Sequence, residues 1–562
     1  MATSSRLSRS APFIGAIAAA LMGYFAYTLG NTYVPRMSSH DGYFLVPVED
    51  RVEVPVQLRP RHTVLVIIDG LRRDRAESLT SIARVRDAGH CRVMYTGPLT
   101  VSHPIFAVMS SGVEVHRTGA RNNRTMTPLA VESIWQVAHE AGLRVSGTGS
   151  TPWWSGFFPD GFDHSDGQIP YDVDYLARTE LTDVNLIHVP DVDEEGHAHG
   201  AASSHYQAAM DQVDVELNRF LDRLDLSRDL IVVTADHGHT MAGGHGGIQP
   251  EIANTLTCYA GPTIAASSPA PASGGPDGSD GDGEAREFGR MDVTTLGPSL
   301  AVLLGVRFPR HMRAEPGDGA GPASGSDTRP GDDLDTIWQI VSTERLGADY
   351  VADRKRAIER FRAENRARLK EWLGSDDDSA SWSALYQRER RPQIIGLTIA
   401  LGLILGLVVL SLRLRRLGLK RSLAILAWMT GTVAVTFAIY TIARGSFDFT
   451  SINKREPFIL ASQTICLSVA VVSALVHAFI WRRAVCYIAD QLTLIAVFVA
   501  IGAAHPLIYG NPLGFPLPGQ VELFIPFIAA AFGLANGIWT TLVCLALAAR
   551  AGLQALRRSS GE

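Results

Sequence analysis

The chain has 562 residues, a formal net charge of −6 and 46% hydrophobic residues. Its mean hydropathy lies near zero, which is too apolar for an ordinary soluble protein, and so weak an acidic balance gives no footing to a nucleic-acid partner. The length is enough for one large domain with further elements around it.

The apolar excess lies in six stretches of membrane-spanning length. The first covers 12–33 and follows Arg6 and Arg9. Basic residues flank the cytoplasmic side of a span, so the N-terminus, 1–11, is expected inside. No small-x-small cleavage site follows the apolar core, so the segment reads as an uncleaved anchor rather than a signal peptide. A mixed, charged region at 34–390 then faces outward. Two stretches inside it, 265–284 and 315–333, are rich in Gly, Pro, Ser, Ala and Asp and read as flexible insertions.

Along that region the first strand-like run is His62–Ile68, and it leads into Asp69-Gly-Leu-Arg72. A loop from Gly97 holds Thr100 and Ser102 and enters a short apolar helix, with Pro104 suited to its first turn. Ser133–Glu140 reads as a helix and Arg144–Thr148 as a strand. Trp153, Trp154, Phe157 and Phe158 form an aromatic cluster, read as core packing or a membrane-skimming loop before a substrate groove. Val184–Pro190 is strand-like and runs into Asp191-Val-Asp193-Glu-Glu-Gly-His197. From His205 to Leu224, apolar residues recur at spacings of three and four, which predicts an amphipathic helix. Leu230–Ala235 leads into Asp236-His237-Gly-His239, with His245 just beyond. Phe288–Arg310 returns to ordered structure, and Asp335–Trp372 reads as a charged helix.

Five further spans follow, near 393–412, 422–442, 458–480, 484–504 and 521–549. Basic loops at Arg413–Arg421, Arg482–Arg483 and the tail 550–562 put the same side of each in the cytoplasm. The expected layout is thus an anchor at 12–33, an extracytoplasmic domain at 34–390 and a multispan domain at 391–549. Asp490 sits within the fifth span near its cytoplasmic end, where snorkelling to the interface is the default reading. Cys91 and Cys258 are the only cysteines in the outer region. They could pair there, but the sequence does not show them close together, and the plainer reading is two buried thiols.

Strand–helix–strand order predicts an α/β fold with a mostly parallel central sheet. Such sheets bind ligands outside the carboxyl ends of their strands. The three Asp- and His-bearing motifs would then gather on one sheet edge. Carboxylates and imidazoles gathered there make a metal site, for two divalent ions. A hydroxyl at the start of the helix after Gly97 would meet N–H groups and a dipole that favour an alkoxide and a phosphoryl group.

Asp-Gly-Leu-Arg, hydroxyl-x-Pro, Asp-x-x-Gly-His and Asp-His-Gly, in this order, resemble the alkaline phosphatase superfamily. The pattern is most similar to the branch with nucleotide pyrophosphatase/phosphodiesterases and the glycosylphosphatidylinositol (GPI) ethanolamine phosphate transferases. Gly243-Gly244-His245-Gly246, Asn254-Thr255-Leu256 and the anchor–domain–multispan layout bring it nearer the transferases. The resemblance covers 61–262 in motifs and the rest in layout only.

The resemblance implies an alkaline-phosphatase-like sandwich with two metal sites. One would use Asp69, Asp236, His237 and the nucleophile oxygen. The other would use Asp193, His197 and His245, with Asp193 chosen over Asp191 by spacing. Mixed Asp/His ligation suits zinc, then manganese. Ser102 is the expected nucleophile, with Thr100 as alternative. Asn122 or Asn123 would hold a phosphate oxygen, although a polar turn explains them equally. His199 and His239 read as bystanders.

The implied activity is transfer of phosphoethanolamine, or a related head group, from a phospholipid donor to a glycan or lipid acceptor through a phospho-Ser/Thr intermediate. A membrane-anchored phosphodiesterase is the enzymatic alternative, and a non-catalytic membrane scaffold the other. Lysine occurs only at 355, 370, 420 and 454. That composition suggests a GC-rich bacterium and its inner membrane, where a GPI acceptor would be unexpected.

Overall fold

The computed structural model describes residues 42–374 apart from 43, 98, 116, 121–122, 124–125, 168–173, 266–288 and 314–333; elsewhere it describes chiefly 12–24, 418–444, 490–496 and 521–559. Contacts divide the chain into two compact units, one at Ser38–Arg388, the other built from Met1–Met37 and segments after Glu389.

The first unit is built on an eight-stranded sheet, in the order β4-β3-β5-β1-β6-β7-β2-β8. The strands are β1 (Thr63–Ile68), β2 (Gly89–Tyr95), β3 (Val145–Gly149), β4 (His164–Ser165), β5 (Val184–Val189), β6 (Leu230–Thr234), β7 (Asn254–Ala260) and β8 (Arg290–Asp292). From β4 to β6 all pairings are parallel. β7 runs antiparallel to both its neighbours. The α/β expectation holds, but the sheet is mixed. The sequence reading placed no strand at β2 or β7, although the Asn254-Thr255-Leu256 motif opens the latter.

Each of the three motifs follows one of three adjacent strands. β1 pairs with β5 on one side and β6 on the other. All six residues of β1 and of β5, and all five of β6, are buried. Such runs lie in the sheet interior, covered on both faces.

Eight helices of this unit matter here: α1 (Thr80–Asp87), α2 (Ser102–Ser111), α3 (Ile134–Glu140), α4 (Pro152–Phe157), α5 (Asp191–His199), α6 (Ser204–Leu221), α7 (Leu296–Leu304) and α8 (Ala348–Leu373). α6 and α1 cover one sheet face. Tyr206, Met210, Val213, Leu217 and Phe220 of α6 share a core with Val64, Val66 and Ile68 of β1. Each such side chain contributes about 1.5–3 kcal/mol. On the other face, Phe106 of α2 stacks on Trp154 of α4 at 3.9 Å and meets His188 of β5 edge-on at 5.2 Å. Ser133 caps α3 in a capping box with Gln136, and Trp135 of α3 donates to Ser110 Oγ of α2 at 2.8 Å.

Cys91 and Cys258 are bonded to each other. They stand directly opposite in the antiparallel β2/β7 pair. The reading as two buried thiols therefore gives way to the pairing the sequence left open, and the antiparallel β7 is what makes it possible.

In the second unit, helix Pro12–Tyr24 packs on helix Val521–Ser559 through small residues. A Cβ on Gly537 would lie 2.8 Å from Gly23 Cα, and Thr541 Oγ1 donates to the Ala16 carbonyl at 3.3 Å. Phe13, Ile14, Ile17, Leu21, Ile538 and Leu542 point outward. Among the described residues one helix, Gly533–Gln554, is long and apolar enough to cross a membrane. The described helix Leu419–Arg444 includes the span expected at 422–442. The spans expected near 393–412, 458–480 and 484–504 lie mostly outside the described residues, as do both insertions. Asp490 is buried within its unit rather than reaching outward.

Candidate metal centre

Asp69 leaves the end of β1 on a turn through Gly70, whose φ is +71°. A Cβ there would sit 2.8 Å from Asp193 Cα and 3.0 Å from Asp193 Oδ1. Only glycine tolerates both the dihedral and the approach. It lets the β1 turn lie against the motif after β5. Tyr206 of α6 pins this turn, with its hydroxyl donating to the Gly70 carbonyl at 2.8 Å and accepting the Arg72 N–H at 3.0 Å.

The second motif is itself a helix. α5 begins at Asp191, so Asp193 and His197 stand one turn apart on one face. Asp236, His237, His239 and His245 come from the loop after β6. All four are fully buried.

These side chains form two groups. Asp69, Asp236 and His237 make one, and Asp193, His197, His239 and His245 the other; within each, one donor atom per residue lies within 4.8 Å of the rest. The groups adjoin, since the His237 and His245 rings stack at 3.6 Å.

In the first group His237 Nδ1 donates to the Gly238 carbonyl at 3.2 Å. That leaves Nε2 with its lone pair toward Asp69 Oδ1 at 3.4 Å, Asp236 Oδ2 at 3.3 Å and Ser102 Oγ at 3.2 Å. Asp69 Oδ1 and Asp236 Oδ2 are buried and accept no hydrogen bond. Two orphaned carboxylate oxygens beside an imidazole nitrogen met by the Ser102 hydroxyl are costly unless a cation joins them. In the second group His245 Nδ1 donates to the Thr100 carbonyl at 2.7 Å. Its Nε2 then faces His197 Nε2 at 3.0 Å and Asp193 Oδ1 at 3.6 Å, with His197 Nε2 3.3 Å from Asp193 Oδ2. Both donor sets fit a divalent cation of the zinc or manganese type.

Burial and the neighbouring Asp236 and Asp193 push the Asp69 carboxyl well up, and burial with Asp193 lifts Asp236 to about 6. Burial also pushes Asp193 up, but His197 and His239 overrule it and hold the group well below its ordinary value. Burial lowers His237 and His188 to about 4 and holds His245 well below its ordinary value. His237, His188 and His245 are thus neutral at pH 7, the form in which an imidazole can bind a cation.

Two histidines that the sequence reading did not assign hold the carboxylates. His188, on β5, donates from Nδ1 to the Ser150 carbonyl at 2.6 Å and has Nε2 3.0 Å from Asp69 Oδ2. His239 has Nε2 2.6 Å from Asp193 Oδ1. It was expected to stand aside; instead it fills the inner wall of the second group. Gly196 makes room for it, because a Cβ at 196 would lie 2.6 Å from its ring. The signal available in sequence was position: residue 188 is the last inward histidine before a ligand turn, and 239 lies two beyond His237.

Ser102 opens α2, its hydroxyl in the first group. Thr100 is engaged elsewhere: its hydroxyl donates to the Gly247 carbonyl at 2.8 Å and accepts the Gly246 N–H at 2.9 Å. Asn123 Oδ1 accepts the His103 N–H at 3.0 Å, beside the start of α2. Asn122 lies outside the described residues. Of the aromatic cluster, Trp154, Phe157 and Phe158 are buried, while Trp153 is partly exposed and its ring lies 4.6 Å from that of His103.

Residues 173–245 match the model of the Metalloenzyme superfamily. The chain is 26% identical over 283 residues to the mouse (Mus musculus) GPI ethanolamine phosphate transferase 3, catalytic subunit, covering 44% of this chain and 24% of that protein. It is 23% identical over 274 residues to the human (Homo sapiens) GPI ethanolamine phosphate transferase 2, catalytic subunit, covering 44% and 26%. The chain thus spans about a quarter of the length of the curated relatives it matches. Among solved structures, human ectonucleotide pyrophosphatase/phosphodiesterase 5 overlaps 44% of this chain and 96% of its own at 13% identity, with a TM-score of 0.35. A 2-O GAG sulfatase overlaps 45% and 72% at 17% identity, with a TM-score of 0.30. Superpositions at these scores bear on neither substrate nor mechanism. Motifs, family model and curated relatives agree: residues 173–245 match an alkaline phosphatase-like metalloenzyme superfamily domain, and the chain is similar at low identity to GPI ethanolamine phosphate transferases.

Proposed function

We propose that this protein is a membrane-bound, metal-dependent transferase that moves phosphoethanolamine, or a related head group, from a phospholipid to a glycan or lipid acceptor. The observation that carries the reading is the approach of Ser102 Oγ to the Asp69–Asp236–His237 group at the start of a buried helix. Asp69, Asp236 and His237 would hold one divalent ion, and Asp193, His197 and His245 a second. The ions supply neutralising charge and lower the pKa of the attacking hydroxyl.

Ser102 Oγ attacks phosphorus in line, and the bond from phosphorus to the diacylglycerol oxygen breaks on the far side. The phosphoryl group and its ethanolamine are then esterified to Ser102. The α2 N-terminus faces the developing negative charge, and Asn123 stands beside that helix start to orient a phosphoryl oxygen. The acceptor hydroxyl then attacks the same phosphorus and frees Ser102.

The proposed orientation puts this domain outside the cytoplasm. The Cys91–Cys258 disulfide supports it, since such bonds persist in oxidising compartments. Outward-facing apolar side chains on Pro12–Tyr24 and Val521–Ser559 support lipid around the second unit, with the first of these helices kept as an anchor. Composition alone suggests a bacterial inner membrane.

The test is incubation of the purified full chain with phosphatidylethanolamine labelled in its head group. The expected result is label on Ser102 with release of diacylglycerol, both lost in Ser102→Ala. Absence of both in the wild type refutes the proposal. Label discharged to water as fast as to any glycan or lipid acceptor makes the same site a phosphodiesterase.

A further inference from the structure

α5 carries two pairs of ligand-type side chains, not one. Asp193 and His197 face the metal centre. Glu195 and His199 follow two residues later and, at about 100° per residue, point to the opposite side of the helix. The chain then turns through 200–203 and starts α6, where His205 lies in the first turn.

That turn brings the His205 ring flat against His199, with centroids 4.0 Å apart and planes 18° from parallel. Glu195 Oε2 lies 3.6 Å from His199 Nε2, too far for a hydrogen bond, and this oxygen is shielded from solvent with no hydrogen-bond partner. One donor atom from each of Glu195, His199 and His205 lies within 4.8 Å of the other two.

We propose that Glu195, His199 and His205 form a third, peripheral zinc site. Two imidazoles and a carboxylate are a zinc donor set, with the fourth position left to water. Donor atoms around a tetrahedral zinc stand about 3.3 Å apart, so these atoms need close by at most about 1.5 Å. His199 and Glu195 side chains are 44% and 38% exposed and have room to do so. The last turn of α5 favours a cation and the first turn of α6 disfavours one, so the two helix ends offset and the donors decide. Manganese and magnesium, which prefer oxygen ligands, fit less well.

The occupant clips the end of α5 to the start of α6. Both helices bear on the centre, α5 through Asp193 and His197 and α6 through Tyr206, which pins the Gly70 turn beside Asp69. The site braces the scaffold of the centre without touching it. It does not depend on the transferase reading.

The experiment uses the full chain in detergent, stripped with chelator and titrated with zinc against a chromogenic competitor. The His199→Ala/His205→Ala variant is expected to bind one zinc equivalent fewer than wild type and to lose part of the zinc-dependent rise in Tm. An Asp193→Asn/His245→Ala variant is expected to keep the equivalent that the first variant loses. Glu195→Gln, which preserves shape, should weaken the same equivalent at least tenfold and stands in if the double variant fails to fold. Equal stoichiometry and equal affinity in wild type and these peripheral variants overturn the proposal.

Discussion

His239 Nε2 lies 2.6 Å from Asp193 Oδ1, while its Nδ1 accepts the Gly244 N–H at 3.1 Å. The backbone donor fixes the tautomer, so the ring proton is on Nε2 and is donated to the carboxylate. His239 therefore orients Asp193 rather than competing with it for a cation. Partners of this type are worth about 10–100-fold in metal affinity. His239→Ala should weaken cation binding at the Asp193 group by that factor, read by chelator competition, while His239→Gln, which keeps a donor, recovers part of it. Unchanged affinity in His239→Ala would falsify the positioning role.

Ser102 and Thr100 should separate cleanly. Ser102→Ala should abolish covalent labelling and leave Tm nearly unchanged, because its hydroxyl bonds nothing outside the donor group. Thr100→Val removes the hydroxyl's bonds to the Gly246 N–H and the Gly247 carbonyl, a cost of about 1–3 kcal/mol. It should lower Tm and retain labelling at Ser102. Label surviving in Ser102→Ala and lost in Thr100→Val would reverse the two roles.

Cation binding should be pH-dependent, with a sign set by the first group. Burial and the neighbouring Asp193 raise the Asp236 carboxyl to about 6 in the folded metal-free protein, from an ordinary 3.8. Between those values the native state holds the extra proton, so this group's contribution to metal-free stability falls as pH rises through the window. A cation must expel that proton. Affinity should then drop as pH falls below about 6, by about tenfold per pH unit for each proton released. His237, lowered to about 4, is already neutral over this range and adds no dependence until lower pH. Calorimetric titration in buffers of different ionisation enthalpy counts the protons; a flat profile from pH 7 to 5 would contradict the assignment.

Gly70→Ala should disable the centre without touching a ligand. The added Cβ meets Asp193, and the left-handed backbone strains as well, so a loss of about 1–3 kcal/mol is expected. Cation affinity should fall with it. A variant of wild-type Tm and affinity would show that the two motifs do not need this contact.

The Cys91–Cys258 bond closes a loop with a sequence separation of 167. Replacing both cysteines by alanine should cost about 2–5 kcal/mol, seen as a lower Tm that reductant lowers no further. Equal Tm for oxidised wild type and the variant would remove the bond from the stability account.

The amino-acid sequence by itself determined the three motif strands, the α6 face and the nature of the donors. Apolar runs of strand length and a repeat of three and four are local patterns, and Asp and His carry their chemistry wherever they sit. What a linear pattern does not carry is adjacency. That β5, β1 and β6 are neighbours, that β7 reverses and brings Cys258 opposite Cys91, and that His188 and His239 turn toward the Asp69 and Asp193 carboxylates are consequences of packing between segments far apart in the chain. Thr100 and Ser102 look alike in sequence, two residues apart on one loop. Only the folded chain separates them, because the backbone at 246–247 takes up one hydroxyl and leaves the other at the donor cluster.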